Sequence, residues 1–444
     1  MDTDEPKEKR KAKSMQLLQV LLVVLWVAVC ARAEGGALED YVKHAEARFA
    51  WQKVEEAHTG GFRITHLALT SQQWRESVWT HHLRVVRPDH VRNADIAFLF
   101  ITGDGAGTRT LGLLQTLAAR AGAIAAVVTR VPNQPLYDGR TEDALIAYTF
   151  DQYRKTRDAT WPLLFPMVKS AVQAMDAVQA FAHQEYGQTI DRFVTGGASK
   201  RGWTAWLVGA VDPRVQALAP MAIDMLNMRA QVQWADTVYG KQSEKIRAYT
   251  DVGLIARMDE PAMVQLRAWV DPYAYRQRYT MPKLLLTGTN DPYWTVDAMR
   301  HYISDLPGVT LIFQTPNAGH DVGDSQDATQ TLAAFFQMLA DREALPHMAW
   351  DITAGPPAQL SVHLNRAATA IRLWTADSPD RDFRNAHWTS RVLSMPAGST
   401  RASAAVAPPA SGYRAFLAEV TLTATTGHVY KLSTEARVTP DTVN

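Results

Sequence analysis

The chain has 444 residues, 47% hydrophobic, 20% charged and 9% aromatic, a globular composition that excludes collagen-like, disordered and disulfide-scaffold classes. Lysine and arginine number 46 against 45 aspartates and glutamates, so a net charge of +1 offers no general attraction for nucleic acid or an anionic membrane. The single cysteine, Cys30, excludes an intramolecular disulfide and a thiol-ligated zinc site, and no metal or other cofactor is expected.

Lys7, Lys9, Arg10, Lys11 and Lys13 precede an apolar run from Met15 to Ala31, the order of a secretory signal peptide. The run holds 17 residues and is broken by Gln16 and Gln19, short of the roughly 20 apolar residues of a spanning helix. Ala31-Arg32-Ala33 supplies the small residues of a cleavage site, so residues 1–33 are expected to be a removed signal peptide, with an uncleaved anchor as the alternative. Val29 is larger than the residue a lipid-attachment site carries before its cysteine. Cleavage leaves 40 basic and 41 acidic residues, no cysteine, and a secreted or periplasmic protein without a stable membrane span.

From Ala37 to Ala57 the pattern reads as mixed and helical. Strands are expected at Phe62 to Leu69, Trp79 to Val86 and Ile96 to Ile101, the last entering the glycine-rich turn Thr102 to Gly107. A helix from Arg109 to Ala121 and a strand from Ala123 to Val128 then set up parallel strands with crossover helices. Trp161 to Ala182 is helical by its spacing, Arg192 to Thr195 is a short strand, and Trp203 to Val208 is a helix. Buried strands follow at Val215 to Ile223, Lys283 to Thr287 and Val309 to Gln314, and a helix at Thr329 to Arg342. The long helical, aromatic stretch from Met225 to Thr280 lies between strands, as a cap or lid would.

After Pro346 the texture changes. Residues 351–444 show alternating runs at Leu360 to Leu364, Ile371 to Thr375, Arg391 to Met395, Tyr413 to Ala424 and Val429 to Ala436. A sandwich-like all-β module is expected there, with Ser399 to Ser411 as a loop.

Three residues carry the chemistry. Ser199 lies on a strand-to-helix turn among small residues, Gly196-Gly197-Ala198-Ser199-Lys200-Arg201-Gly202, where a strained backbone lets the hydroxyl stand clear. Arg201 occupies the place of the second glycine of G-x-S-x-G, and Gly202 comes one residue later. Asp291 follows the strand Lys283 to Thr287, and His320 follows Val309 to Gln314. The order Ser, Asp, His at strand ends is that of α/β-hydrolases, in which a carboxylate orients the imidazole that takes the serine proton. The fold class is therefore α/β, a mostly parallel sheet with helices on both faces, spanning residues 34–346 with the cap at about 225–280. Asp224, after an earlier strand, is the alternative acid. The oxyanion donors would be the amides of Lys200 and of Gly103 or Asp104. A phosphate-cradling role for that turn is the rival, but it lacks the lysine and hydroxyl of a P-loop. Trp203, Tyr273 and Trp294 are candidates to line the substrate pocket, with core packing the alternative for each. His81, His82 and His301 have no metal-ligand spacing.

At these residues the chain resembles the PhoPQ-activated pathogenicity-related protein family of the α/β-hydrolase superfamily. The matching segments are Gly197-Ala198-Ser199-Lys200-Arg201-Gly202-Trp203-Thr204, Ile223-Asp224-Met225-Leu226-Asn227, Asp271-Pro272-Tyr273, Gly288-Thr289-Asn290-Asp291 and Pro316-Asn317-Ala318-Gly319-His320. The resemblance implies Ser199, Asp291 and His320 in the triad places, explains Arg201 as a family variant, and says little about substrate. A more distant similarity is to glucuronoyl esterases, whose serine is also followed by a basic residue. That resemblance implies that Lys200 and Arg201 could meet an acidic substrate, the alternative being a salt bridge at the helix start.

The expected function is an exported serine hydrolase that cleaves an ester, less readily an amide, of a small-molecule, glycan or peptide substrate. The alternative is a non-catalytic secreted binding or signalling protein, virulence-related, on the same scaffold.

Overall fold

The structure is a computed structural model that describes residues 36–443 except 106, 323–325, 395 and 397. The expected signal peptide and Cys30 lie outside the described residues, as does Met395.

A nine-stranded sheet organises the first three quarters of the chain. β1 (Ala50–Thr59), β2 (Phe62–Trp74) and β3 (Ser77–Pro88) form an antiparallel meander, and β3 pairs antiparallel with β5 (Ile124–Val128). β5 runs parallel to β4 (Ile96–Ile101), and the order continues in parallel through β6 (Arg192–Ala198), β7 (Val215–Met221), β8 (Lys283–Gly288) and β9 (Thr310–Thr315). The exchange of β4 and β5 in an otherwise sequential sheet is the crossover of the α/β-hydrolase fold. Each central strand is buried on both faces, which is why it reads as a continuous apolar run. Period two then sorts the side chains: Ala97, Leu99 and Ile101 of β4 join one core cluster, and Ile96, Phe98 and Phe100 the other.

The first face is covered by α1 (Gly36–Lys43), α4 (Leu164–Tyr186) and α5 (Lys200–Val211), and the second by α2 (Thr108–Ala121) and α9 (Gln326–Ala340). Between β7 and β8 the insertion folds as α6 (Met228–Tyr239), the short α7 (Arg247–Asp251) and α8 (Pro261–Val270), with 3-10 turns between and after them. α3 (Glu142–Thr156) packs against α7 and α8 of this insertion.

Two antiparallel sheets make up the C-terminal region. One orders β10 (Met348–Thr353), β11 (Ala358–Leu364) and β14 (Arg401–Val406). The other orders β13 (Thr389–Val392), β12 (Ala370–Ser378), β15 (Tyr413–Thr423) and β16 (Val429–Ser433), with β17 (Arg437–Thr439) also on β15. Leu360, Val362, Phe416 and Val420 share a cluster with Phe313, Phe335 and Phe336, so the β region closes the second face of the large sheet.

Four local readings differ. The helix expected to Ala57 ends at Lys43, and residues 50–59 form the edge strand β1. Its side chains are almost all exposed, so no buried stripe marks it, and backbone pairing across the Gly60-Gly61 turn fixes it. α3 buries Thr149 and Asp151, which interrupts the apolar stripe that would have marked it as a helix. The expected loop Ser399 to Ser411 contains β14, whose small residues Ala402 and Ala404 to Val406 pair with β11. The β region begins at Met348 rather than 351.

Candidate active site

β6 delivers the chain into a turn that α5 leaves at once, and Ser199 between them has φ 56 and ψ −125. A non-glycine residue in this region costs about 1–3 kcal/mol and persists only where its surroundings hold it. The Ser199 amide donates to the Met221 carbonyl at 2.8 Å, and the Ser199 carbonyl accepts from Trp203 N at 2.9 Å. Gly197 and Gly202 make the turn possible: a Cβ on Gly197 would meet the Arg201 carbonyl oxygen at 2.7 Å, and one on Gly202 the Gly197 carbonyl oxygen at 2.8 Å. The displaced glycine of the motif is thereby explained. Position 202 faces the tight crossing with β7, while position 201 points toward β4 and has room for arginine.

His320 brings the other two elements together. Its Nε2 lies 2.8 Å from Ser199 Oγ and its Nδ1 2.8 Å from Asp291 Oδ2. An ionised carboxylate only accepts, so the proton belongs on Nδ1, and Nε2 is left to accept from the serine hydroxyl. The other Asp291 oxygen accepts from Tyr293 N at 2.9 Å, an Asx turn that fixes the carboxylate. The Tyr293 ring stacks on the His320 imidazole at 4.2 Å and 27°. Asp291 is buried and His320 partly open, so the relay runs from the interior to a solvent-accessible serine. Such an arrangement can move a proton off the hydroxyl and return it to a leaving group.

Asp224 lies apart from this relay. It accepts from the Tyr302 hydroxyl at 2.7 Å, and burial pushes its carboxyl up to about 7 against that hydrogen bond, with the Asp291 charge adding to the rise. The structure thus places Asp291, and not Asp224, on the imidazole.

Ile101 pairs with Gly197, so Gly103 and Ser199 stand two residues beyond the same rung of adjacent strands. Lys200 opens α5, where the first-turn amides have no intrahelical acceptor. Gly103 is fitted to Arg201: an added Cβ would lie 2.5 Å from its guanidinium. The Asp104 carboxylate accepts from Gln134 Nε2 at 3.2 Å.

The two cations after the serine are committed elsewhere. Arg201 is buried, gives Glu142 a bidentate pair at 2.7 Å for both bonds, and donates to the Val131 carbonyl at 2.6 Å. Burial opposes ionisation of Glu142, but Arg201, Gln134 and Lys200 outweigh it and hold the carboxyl at about 2. Lys200 Nζ pairs with Asp143 at 3.0 Å and Glu142 at 3.4 Å. Arg201 as a substrate-pocket residue is therefore corrected: its guanidinium is committed to Glu142 and the Val131 carbonyl, and it does not line the cavity beside Ser199.

Trp203 and Trp294 line a cavity of about 150 Å³ that opens onto Ser199 beneath the insertion. Tyr273 does not line it, a second correction, because its hydroxyl donates to Asp305 at 2.5 Å on the outer side. Asp271 instead accepts from Asn227 N, Met228 N and Tyr273 N, holding the start of α6, and burial raises it to about 6 against those amides. The sequence reading missed Tyr293, Tyr249 and the Glu142-Asp143 pair. A signal for Tyr293 existed, since Asp291-Pro292-Tyr293 repeats the Asp-Pro-Tyr of 271–273 with the same Asx turn.

His81 is a core histidine, held by Ser71 at 2.8 Å and the Thr129 carbonyl at 3.0 Å, and burial brings it down to about 4. Among the described residues, no group of three His, Cys, Asp or Glu side chains could hold a metal ion, and no helix is long and apolar enough to cross a membrane.

Comparison with known proteins places the chain in a family. Autocrine proliferation repressor protein A of Dictyostelium discoideum is 30% identical over 395 residues, covering 82% of this chain and 79% of that one. Among solved structures, acetyl xylan esterase 1 from Thermoanaerobacterium sp. JW/SL YS485 superposes with a TM-score of 0.48 at 14% identity, covering 69% of this chain and 94% of that one. A glucuronoyl esterase from Solibacter usitatus gives 0.44 at 11%, covering 68% and 90%. The model of the family described as PhoPQ-activated pathogenicity-related protein matches residues 38–384, and the chain belongs to that family.

Proposed function

We propose that the protein is an exported serine hydrolase that cleaves an ester, less readily an amide, through an acyl-enzyme. The observation that carries the reading is the continuous contact from Asp291 through His320 to Ser199, with both hydrogen bonds at 2.8 Å and the serine in the strained conformation of a nucleophile turn. His320 takes the Ser199 proton as Oγ attacks the carbonyl carbon, and the imidazolium is held by Asp291. The Lys200 amide, with an amide of the Gly103-Asp104 turn, receives the oxyanion. Collapse expels the alcohol, which takes its proton from His320, and water then repeats the sequence to release the acid.

A second reading, a secreted signalling protein without catalysis, is favoured by the name of the Dictyostelium relative, a proliferation repressor. A fluorophosphonate probe separates the two: stoichiometric labelling of the purified chain that disappears in Ser199→Ala supports the hydrolase, and no labelling of the wild type overturns it. Export carries its own test, with the secreted chain expected to begin at Glu34.

A further inference from the structure

We infer that the substrate presents an uncharged, apolar group of about the size of a phenyl ring or six-carbon chain to the cavity beside Ser199, an inference that rests on the hydrolase reading. The cavity measures about 150 Å³ and is walled by Trp203, Ile223 and Met225 from the body and by Leu254, Met263 and Leu266 from the insertion. An apolar cavity of about that volume holds benzene.

Most of the polar groups on its wall already have partners, and the buried Trp294 Nε1 is the one donor that has none among the described residues. Lys200 pairs with Asp143 at 3.0 Å, and the Tyr249 hydroxyl donates to the same aspartate at 3.0 Å. Gln231 donates to the carbonyls of Leu226 and Ala298 at 3.1 and 3.0 Å, and the Arg267 guanidinium to the carbonyl of Met258. A carboxylate drawn to Lys200 would have to compete with the Lys200–Asp143 pair, and a sugar ring would exchange its water for the single indole N–H of Trp294. An alkyl or aryl group gains burial at no such cost.

The test uses the full mature chain and 4-nitrophenyl esters from acetate to decanoate. The expected result is a rise in kcat/KM of up to about four-fold per methylene, the equivalent of about 0.8 kcal/mol per buried CH2, ending near six carbons. A matched series of acetate esters of lengthening alcohols shows which side of the bond enters the cavity. Met263→Trp fills the space and moves the optimum to shorter chains. A flat profile in both series, or preference for uronate or sugar esters, overturns the inference while fluorophosphonate labelling of Ser199 keeps the hydrolase reading alive. Absence of labelling fails the hydrolase reading itself.

A separate observation concerns the C-terminal sheets. The geometry points to Asn290 and Asn317 as positioning residues through which the β region holds Asp291 and His320 in register. Asn290 directly precedes Asp291, and its Nδ2 donates to the Ala386 carbonyl at 2.7 Å and the Phe383 carbonyl at 3.2 Å. Asn317 lies three residues before His320 with φ 60, and its amide makes a two-way pair with the Trp388 backbone: Nδ2 to the carbonyl at 3.0 Å, Oδ1 from the amide at 2.8 Å. The two loops also grip each other, Asn290 N to the Ala318 carbonyl at 2.9 Å and Asn317 N to Thr289 Oγ1 at 2.9 Å. The segment 383–388 therefore anchors both loops at the residues beside the acid and the base.

Asn290→Ala in the full chain is expected to lower kcat at least ten-fold with KM within two-fold, and to remove the low-field NMR signal of the His320 Nδ1 proton. The control is Thr331→Val, which removes two hydrogen bonds between α9 and Lys431 of β16. It is expected to lower Tm while leaving kcat and that proton signal in place. Unchanged kcat and an intact proton signal in Asn290→Ala, with only a lower Tm, would overturn the positioning role. The proton signal reads the outcome even without turnover.

Discussion

His320 can accept from Ser199 only while its own proton stays on Nδ1, and Asp291 is the group that keeps it there. Asp291→Asn favours the wrong tautomer and is expected to lower kcat by about four orders of magnitude. Asp224→Asn, whose partner is Tyr302, is expected to leave kcat within about three-fold, and steady-state kinetics of the two variants decides. Asp224 instead carries a stability prediction. Its folded value of about 7 lies above the ordinary 3.8, so the folded state binds more protons between those values and stability falls as pH rises through that window. Asp224→Asn keeps an acceptor for Tyr302 without the buried charge. Thermal melts are expected to show it a few degrees more stable than wild type at pH 8 and nearly equal at pH 4. The order Ser199, Asp291, His320 was legible because each follows a buried strand, β6, β8 or β9. Which carboxylate meets the imidazole was legible only as a ranking, because each of β7 and β8 is followed three residues later by an aspartate and only folding shows which loop turns inward.

The turn around Ser199 is a property of the β6–α5 unit, and glycine placement is what permits it. Gly202→Ala puts a methyl 2.8 Å from the Gly197 carbonyl oxygen and 2.9 Å from that of Met221, both backbone, so the crossing must open. A destabilisation of about 1–3 kcal/mol with slower fluorophosphonate labelling is expected. Gly112, in mid-α2 with nothing within 4 Å, is the contrast: Gly112→Ala is expected to raise stability by about 0.5–1 kcal/mol without affecting labelling. Elements buried on both faces, such as β4 and β8, were visible as apolar runs. β1 and β14 were not, because one is almost wholly exposed and the other is built of small residues, and each is set by its pairing partner. Arg201 shows the same limit: a cation in a motif reads as available until Glu142, 59 positions earlier, is seen to hold it.

At the scale of the whole molecule, the β region shares the core of the large sheet and touches the loops that carry the acid and the base. Arg381 of that region meets Asp297, which follows β8, at 2.8 Å, and both side chains are 2% exposed. Arg381→Met leaves a buried carboxylate with one cation fewer and is expected to cost about 3–5 kcal/mol, seen as a lower denaturant midpoint in equilibrium unfolding. The change of texture after Pro346 announced this region, but its attachment was not legible, since Asn290, Asn317 and Asp297 are ordinary loop residues in the sequence. The near-zero net charge likewise gave no hint of substrate. The ion pairs at Lys200 and Arg201 sharpen it: the cations beside the serine serve the fold, and the cavity above them is apolar.

The central claim is that Ser199 is a nucleophile activated by His320. It is tested most directly by intact-mass and peptide-mass analysis of the full chain after reaction with a fluorophosphonate. One adduct per chain, located on the peptide containing Ser199 and lost in Ser199→Ala and in His320→Ala, is the predicted result. No adduct, or an adduct that persists in Ser199→Ala, would contradict it.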